Sequence, residues 1–176
     1  HRVPWGETAP LGCKWFVNMM HIPLGDFHRG ARVQPRLVWQ GQRIQPNICY
    51  EDLFGEELAA PFVQADTAPT VLVNVSNIAW FGNTVAIDQH HHISQMRAME
   101  LERPMVRATN TGSTAIINEK GQVQQELPRH QRGVLVGEVQ GRTGTTPFAW
   151  WASRFSLWPL WGLMLAVVLL CWRRRS

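Results

Sequence analysis

The residues best suited to chemistry lie in the run QPNICYEDLFGEEL, Gln45 to Leu58, where an apolar stretch ends in Cys49 and passes at once into Tyr50, Glu51 and Asp52. A thiol at a strand-to-helix turn is a candidate nucleophile, because the N–H groups opening a helix stabilise a thiolate and an oxyanion. Glu51 and Asp52 act the other way, since neighbouring negative charge disfavours a thiolate, so an activating cation or base is required. The two lysines, Lys14 and Lys120, have no motif-like surroundings. A lone cysteine is more often a small buried hydrophobe than a nucleophile, and residue chemistry alone leaves both readings standing.

Other clusters carry less. Cys13, Cys49 and Cys171 lie far apart with no CxxC spacing, which gives zinc or thioredoxin-like chemistry no support. A Cys13–Cys49 disulfide is not expected, because small disulfide scaffolds use more cysteines. His90, His91 and His92 are consecutive, and helical neighbours point about 100° apart, so the three cannot share one ion. They read as a polar start to an amphipathic helix, with no metal and no cofactor. Arg97, Glu100, Glu102 and Arg103 read as solvated or paired helix charges. Arg107 and Asn110 read either so or as braces beneath a site.

The elements that must position Cys49 follow from pattern. RLVWQ and RIQPNICY read as strands joined by a turn at "GQ", FGEELAAPF as a short helix ended near Pro61, and TVLVNVS as a strand buried on both faces. AIDQHHHISQMRAMELERP reads as a helix capped by Asp88 and ended by Pro104, with Ile93, Met96 and Met99 on adjacent faces. MVRATN, STAIINEKG, QVQQEL and GVLVGEV read as four further strands. The order β-β-α-β-α-β-β-β-β defines a layered α/β domain. Residues 1–30, rich in Pro and Gly, read as irregular.

Composition adds a membrane. Charged residues make up 17% of the chain, below the roughly 25% of ordinary soluble domains. There are nine Trp against one Tyr, and Trp collects at bilayer interfaces. No charged residue interrupts Leu157 to Trp172, and Arg173, Arg174 and Arg175 follow directly. This run predicts one transmembrane helix over 157–172, just short of the ~20 residues that span a bilayer. Residues 146–156 are expected as an interfacial linker anchored by Trp150 and Trp151, and 173–176 as a basic tail, cytoplasmic by the positive-inside rule. The net charge of +4 forms no basic patch interleaved with aromatics, which argues against a nucleic-acid partner.

The quoted segments carry a resemblance. NICYEDLFGEEL resembles the nucleophile segment of the nitrilase, or carbon–nitrogen hydrolase, superfamily. HRVPWGE resembles its segment just after the catalytic lysine, VNVSNIAWFGNT its Asn- and Trp-containing loop, and QHHHISQMRAMELERPMVRATNTGSTAII the helix and strands that follow. With a C-terminal span, the set is similar to the apolipoprotein N-acyltransferase branch.

The resemblance implies a partial αββα sandwich over 1–145 followed by the C-terminal transmembrane helix. It implies a Glu–Lys–Cys triad with Cys49 as nucleophile, Glu7 as a supporting acid, Tyr50 and Glu51 beside the nucleophile, and Asn77 and Trp80 at the mouth of an acyl pocket. The implied partners are a phospholipid acyl donor, a diacylglyceryl lipoprotein acceptor and the lipid bilayer. The implied place is a bacterial inner membrane, with the catalytic domain periplasmic. By the family's spacing the lysine and base glutamate are expected ahead of His1, so these residues are expected to be the C-terminal portion of the enzyme, inactive alone. A nitrilase-type amidase and an inactive membrane-tethered binding module remain the alternatives.

Overall fold

The computed structural model describes residues 35–173. Glu7, Cys13 and the irregular segment expected before residue 30 lie outside the described residues. Six strands form one sheet: β1 (Leu37–Trp39), β2 (Gln42–Ile48), β3 (Val71–Ser76), β4 (Met105–Thr109), β5 (Ala115–Ile117) and β6 (Val123–Glu126). Their spatial order is their chain order; β2, β3 and β4 run parallel, and β1, β5 and β6 pair antiparallel at the flanks. Helix α1 (Gly55–Ala59) lies in the β2–β3 connection, α2 (Ala86–Leu101) in the β3–β4 connection, and α3 (Pro147–Phe155) and α4 (Trp158–Arg173) follow the sheet.

The β1–β2 turn sits at Gln40–Gly41, one residue before the expected "GQ". Both residues have positive φ, 46° and 74°, and Trp39 pairs with Gln42, as a two-residue hairpin turn matched to strand twist requires. In β3, Leu72 and Asn74 are buried but Val75 is 53% exposed, so this strand is not covered on both faces throughout. Val71, Leu72 and Val73 still supply the β-branched, apolar character that favours a strand.

Period-two alternation sorts the sheet into two faces. On one, Leu72, Met105 and Ile117 stand side by side and pack with Leu58, Phe62, Ala98, Leu101, Ala149 and Ala152 into the core. On the other, Val106 pairs with Ile116 and Ile116 with Gln125. The expected strand GVLVGEV is not one: residues 133–139 are irregular. A Cβ on Gly137 would meet Ile116 and Gln125, so the segment crosses the face of β5 and β6 instead of extending the sheet edge. One sheet with helices on one face supplies one β and one α layer of the expected sandwich.

Helix α2 begins after Val85 with no side-chain cap. Asp88 lies inside the first turn and pairs with Arg129. The helix ends where Glu102 turns left-handed (φ 51°), two residues before Pro104, which disfavours helical backbone in the residue preceding it. Its buried face is Ile87, His90, His91, Ser94, Arg97, Ala98 and Leu101. Met96 and Met99 are about half exposed. Arg97 packs so closely over α1 that a Cβ on Gly55 would clash with its guanidinium.

The C-terminal apolar run differs from one straight span. No single described helix is long and apolar enough to cross a membrane; α3 and α4 meet the length and composition test only as a pair bent by 72°. Thr146 caps α3 by accepting from Ala149 N at 3.0 Å, while its hydroxyl donates to Glu100 O at 2.5 Å. Pro147 follows at the position where a missing N–H costs nothing. These bonds dock α3 on the body, and Ala149 and Ala152 are buried there while Trp150 and Trp151 stay 48% and 42% exposed. The break falls at Ser156, φ 50°, and α4 carries no buried residue.

Candidate active site

The candidate site gathers at the carboxyl ends of the three parallel strands, the edge where open α/β sheets place ligands. One row of side chains above the apolar core, Asn47, Asn74 and Arg107 are register partners across β2, β3 and β4, each at most 2% exposed. This polar row is the floor of the site.

Cys49 leaves β2 directly above it. The residue adopts φ 51°, a left-handed conformation that costs a non-glycine residue about 1–2 kcal/mol. It opens a 3-10 turn, Cys49–Leu53, and α-helical structure begins only at Gly55, so the following helix is shorter and later than the sequence suggests. The thiol is half-buried and in no disulfide. The Cys49 carbonyl accepts from Asn74 Nδ2 at 3.0 Å and lies 3.2 Å from His90 Nε2. Asn74 also donates to Asn47 Oδ1 at 2.5 Å and accepts from Ser76 Oγ at 2.5 Å.

Behind this turn lies a charged network. Asp52 is fully buried. Its Oδ2 accepts from Ser94 Oγ at 2.5 Å and from Arg107 NH1 at 3.4 Å, and its Oδ1 lies 3.2 Å from His90 Nε2. Among the described residues only the Cys49 carbonyl is aligned to accept from that ring nitrogen. Arg107 also donates to Ser113 O at 3.0 Å, His90 O at 3.3 Å, Ser94 Oγ and His90 Nδ1. A buried guanidinium is tolerated because nearly every N–H finds an acceptor. Burial pulls Arg107 below the ordinary guanidinium range, and the negative charges of Asp52, Cys49 and Tyr50 oppose that.

Tyr50 lies between His90 (ring centroids 4.7 Å apart) and Phe81 (5.6 Å, edge-on). Burial first, then the charges of Cys49 and Asp52, push its phenol above the ordinary value against Arg107. Glu51 folds back, its Oε2 accepting from Ile48 N at 2.7 Å, which braces the strand end. Asn77 and Asn110 join the neighbouring strand ends: Asn110 Nδ2 donates to Asn77 Oδ1 at 2.7 Å, and Asn110 Oδ1 accepts from Ile78 N at 3.0 Å. That clamp presents the turn Ala79–Phe81, whose Trp80 is 83% exposed. A cavity of about 520 Å³ opens at the end of β4, its lining including Thr109, Asn110, Gly112, Leu127, His130 and Gly133. Cys49 is not part of its wall, and Asn110 is its link to the Trp80 loop.

The structure thus brings Cys49, Tyr50 and the Asn77–Phe81 loop together, sets Glu51 to backbone bracing, and leaves Glu7 outside the described residues. The histidine run is not a solvated helix start: His90 and His91 are 1% and 7% exposed. For His91, burial first, then Arg107 and His92, lower the imidazole pKa to about 4. Arg103 is likewise not solvated, its guanidinium donating to the carbonyls of Pro69, Leu101, Glu102 and Gly144. Sequence reasoning missed Asn74, His90 and Ser94 as site neighbours, and read Asp52 only as a charge unfavourable to the thiolate. Among the described residues no group of three or more His, Cys, Asp and Glu side chains is arranged to hold a metal ion.

Cys49 thus sits half-buried on a left-handed turn at the carboxyl end of β2, above a buried polar row. The carbon–nitrogen hydrolase family model matches residues 17–148, and the chain belongs to that family. Its relatives include the apolipoprotein N-acyltransferase of Verminephrobacter eiseniae (strain EF01-2), 59% identical over 164 residues, 89% of this chain and 31% of that protein. The apolipoprotein N-acyltransferase of Ralstonia nicotianae is 52% identical over 176 residues, all of this chain and 33% of that protein. The chain therefore spans about a third of the length of these relatives. Among solved structures, an amidase from Nesterenkonia sp. AN1 with acrylamide added at its active-site cysteine shares the fold, with TM-score 0.51, 18% identity, and coverage of 77% of this chain and 51% of that one.

Proposed function

We propose that the protein carrying these residues transfers a fatty acyl group from a phospholipid to the N-terminal amine of diacylglyceryl-cysteine in lipoproteins, through a thioester on Cys49. The observation that carries the reading is the Cys49 turn, with its left-handed backbone and doubly held carbonyl. Relatives named apolipoprotein N-acyltransferase support the choice of substrates. The base glutamate takes the Cys49 proton, the thiolate attacks the ester carbonyl, the glutamate returns that proton to the leaving lysophospholipid oxygen so that it departs as the alcohol, and the acyl group stays on sulfur. The amine then attacks the thioester, the amide forms, and the thiolate is regenerated, the ping-pong order of covalent catalysis. In this reading a base glutamate and a lysine complete the triad with Cys49. Glu7 supports the site as a second acid, and Trp80 and Asn77 border the acyl chain.

In this reading α4 sits in the bacterial inner membrane, residues 146–156 lie at its surface, the catalytic domain is periplasmic, and Arg173–Arg175 are cytoplasmic. The exposed Trp150, Trp151, Trp158 and Trp161 support this placement. The test uses the full-length protein in liposomes with acyl-labelled phospholipid and a diacylglyceryl peptide. Label accumulates on Cys49 as a hydroxylamine-sensitive adduct and moves to the amine when peptide is added. N-acylation persisting in Cys49→Ala removes the thiol from the reaction, and label released as fatty acid whether or not peptide is present supports hydrolysis instead.

A further inference from the structure

We infer that His90 is a positioning residue for the nucleophile, fixed in one tautomer by Arg107 so that its remaining N–H holds the Cys49 carbonyl. This rests on the reading of Cys49 as the acyl-carrying thiol. Arginine has only donors, and Arg107 NH2 faces His90 Nδ1, so Nδ1 accepts and the ring proton resides on Nε2. That nitrogen is aligned on the Cys49 carbonyl at 3.2 Å. Arg107 is itself held by Ser113 O, Ser94 Oγ and Asp52 Oδ2, so the tautomer is set from β4 and α2 together.

The consequence falls on a strained residue. Cys49 is left-handed at φ 51°, and such a conformation persists only when its surroundings over-determine it. Two donors on one carbonyl, Asn74 Nδ2 from β3 and His90 Nε2 from α2, fix the peptide plane after Cys49 and with it the direction in which Cβ carries the sulfur. Asn74 is a β3 residue locked into the polar row, whereas His90 is adjustable only through its tautomer. His90 touches no substrate in this scheme; it acts through the backbone of Cys49.

The full-length protein tests this with His90→Phe, which keeps an aromatic ring beside Tyr50 without a donor, and His90→Gln, which keeps a donor near Nε2. Iodoacetamide alkylation of Cys49 is followed by peptide mass, alongside kcat and KM for acyl transfer. His90→Phe lowers the alkylation rate and kcat about tenfold with KM unchanged, and His90→Gln stays within about threefold of the parent, as loss or retention of one hydrogen bond implies. Parent rates in His90→Phe, or equal losses in both variants, overturn the inference. If His90→Phe does not fold, the ¹⁵N spectrum of histidine-labelled parent decides: the ring signal lost in His90→Gln has the Nε2–H pattern, and an Nδ1–H or doubly protonated pattern overturns the inference. Acyl transfer surviving in Cys49→Ala defeats the functional reading instead, and leaves the alkylation and tautomer results to judge His90 alone.

Discussion

Removing Arg107 without its partner is the severest test of the buried network. Arg107 and Asp52 are both fully buried, and Arg107 also donates to Ser113 O, His90 O, Ser94 Oγ and His90 Nδ1. Arg107→Met leaves the Asp52 carboxylate with Ser94 as its aligned donor and removes one donor each from the Ser113 and His90 carbonyls. Breaking a buried pair from one side costs about 3–5 kcal/mol, a large part of the roughly 5–15 kcal/mol that holds a domain together. Asp52→Leu alone costs a similar amount, because it strands the guanidinium. Replacing both by apolar groups removes the stranded charge, so Arg107→Met with Asp52→Leu is less destabilised than the sum of the singles by at least about 2 kcal/mol. The assay is urea unfolding of the detergent-solubilised protein, followed by Trp fluorescence. A single variant costing under about 1 kcal/mol, or a double variant equal to the sum, refutes the reasoning that one coupled network underlies the site.

Cys49→Gly is more stable than Cys49→Ala by about 1 kcal/mol, because glycine alone occupies φ 51° without a Cβ penalty; equal unfolding midpoints in urea contradict the strain. His91 has its pKa lowered to about 4, chiefly by burial, so the unfolded chain binds more protons between about pH 6.5 and 4 and stability falls as pH drops through that window. Solvent screening trims this to about 1–2 kcal/mol, and His91→Gln flattens the dependence in pH-stepped urea titrations; an unchanged slope contradicts it. Burial above all pushes the Tyr50 phenol up, so the 295 nm absorbance difference between parent and Tyr50→Phe rises at a higher pH than the absorbance of free tyrosine; a rise at the same or lower pH contradicts its environment.

Much of the sheet is legible because β-branched runs mark strands by local preference, as in Val71–Val75 and Met105–Thr109. The segment 133–139 has the same pattern but lies across Ile116 and Gln125, and no local rule separates a strand in a ladder from an extended segment laid over a sheet. The Gln40–Gly41 turn was misplaced by one residue because its left-handed geometry spans two positions and only one is glycine. In α2 the usual equation of polar with exposed fails: His90 and Ser94 face Asp52 and Arg107, so about half of the packed face is polar and Met96 and Met99 are left half exposed. Cys49 was visible as a candidate from its flanking residues, yet its tautomer-setting neighbours come from α2 and β4, dozens of residues away. The bend at Ser156 was hidden because an apolar run states how much surface avoids water, not whether its backbone is continuous.

The sheet's spatial order, identical to its order along the chain, bears on biosynthesis. Among the described residues each strand can dock on the edge left by the one before, and none has to be inserted between two strands already paired. The Cys49 turn and the donors that hold its carbonyl are therefore completed in sequence, β2 first, β3 with Asn74 next, α2 with His90 after it, and β4 with Arg107 last. Synthesis halted before β4 yields a thiol already on its turn but without the cation and tautomer lock that steady it.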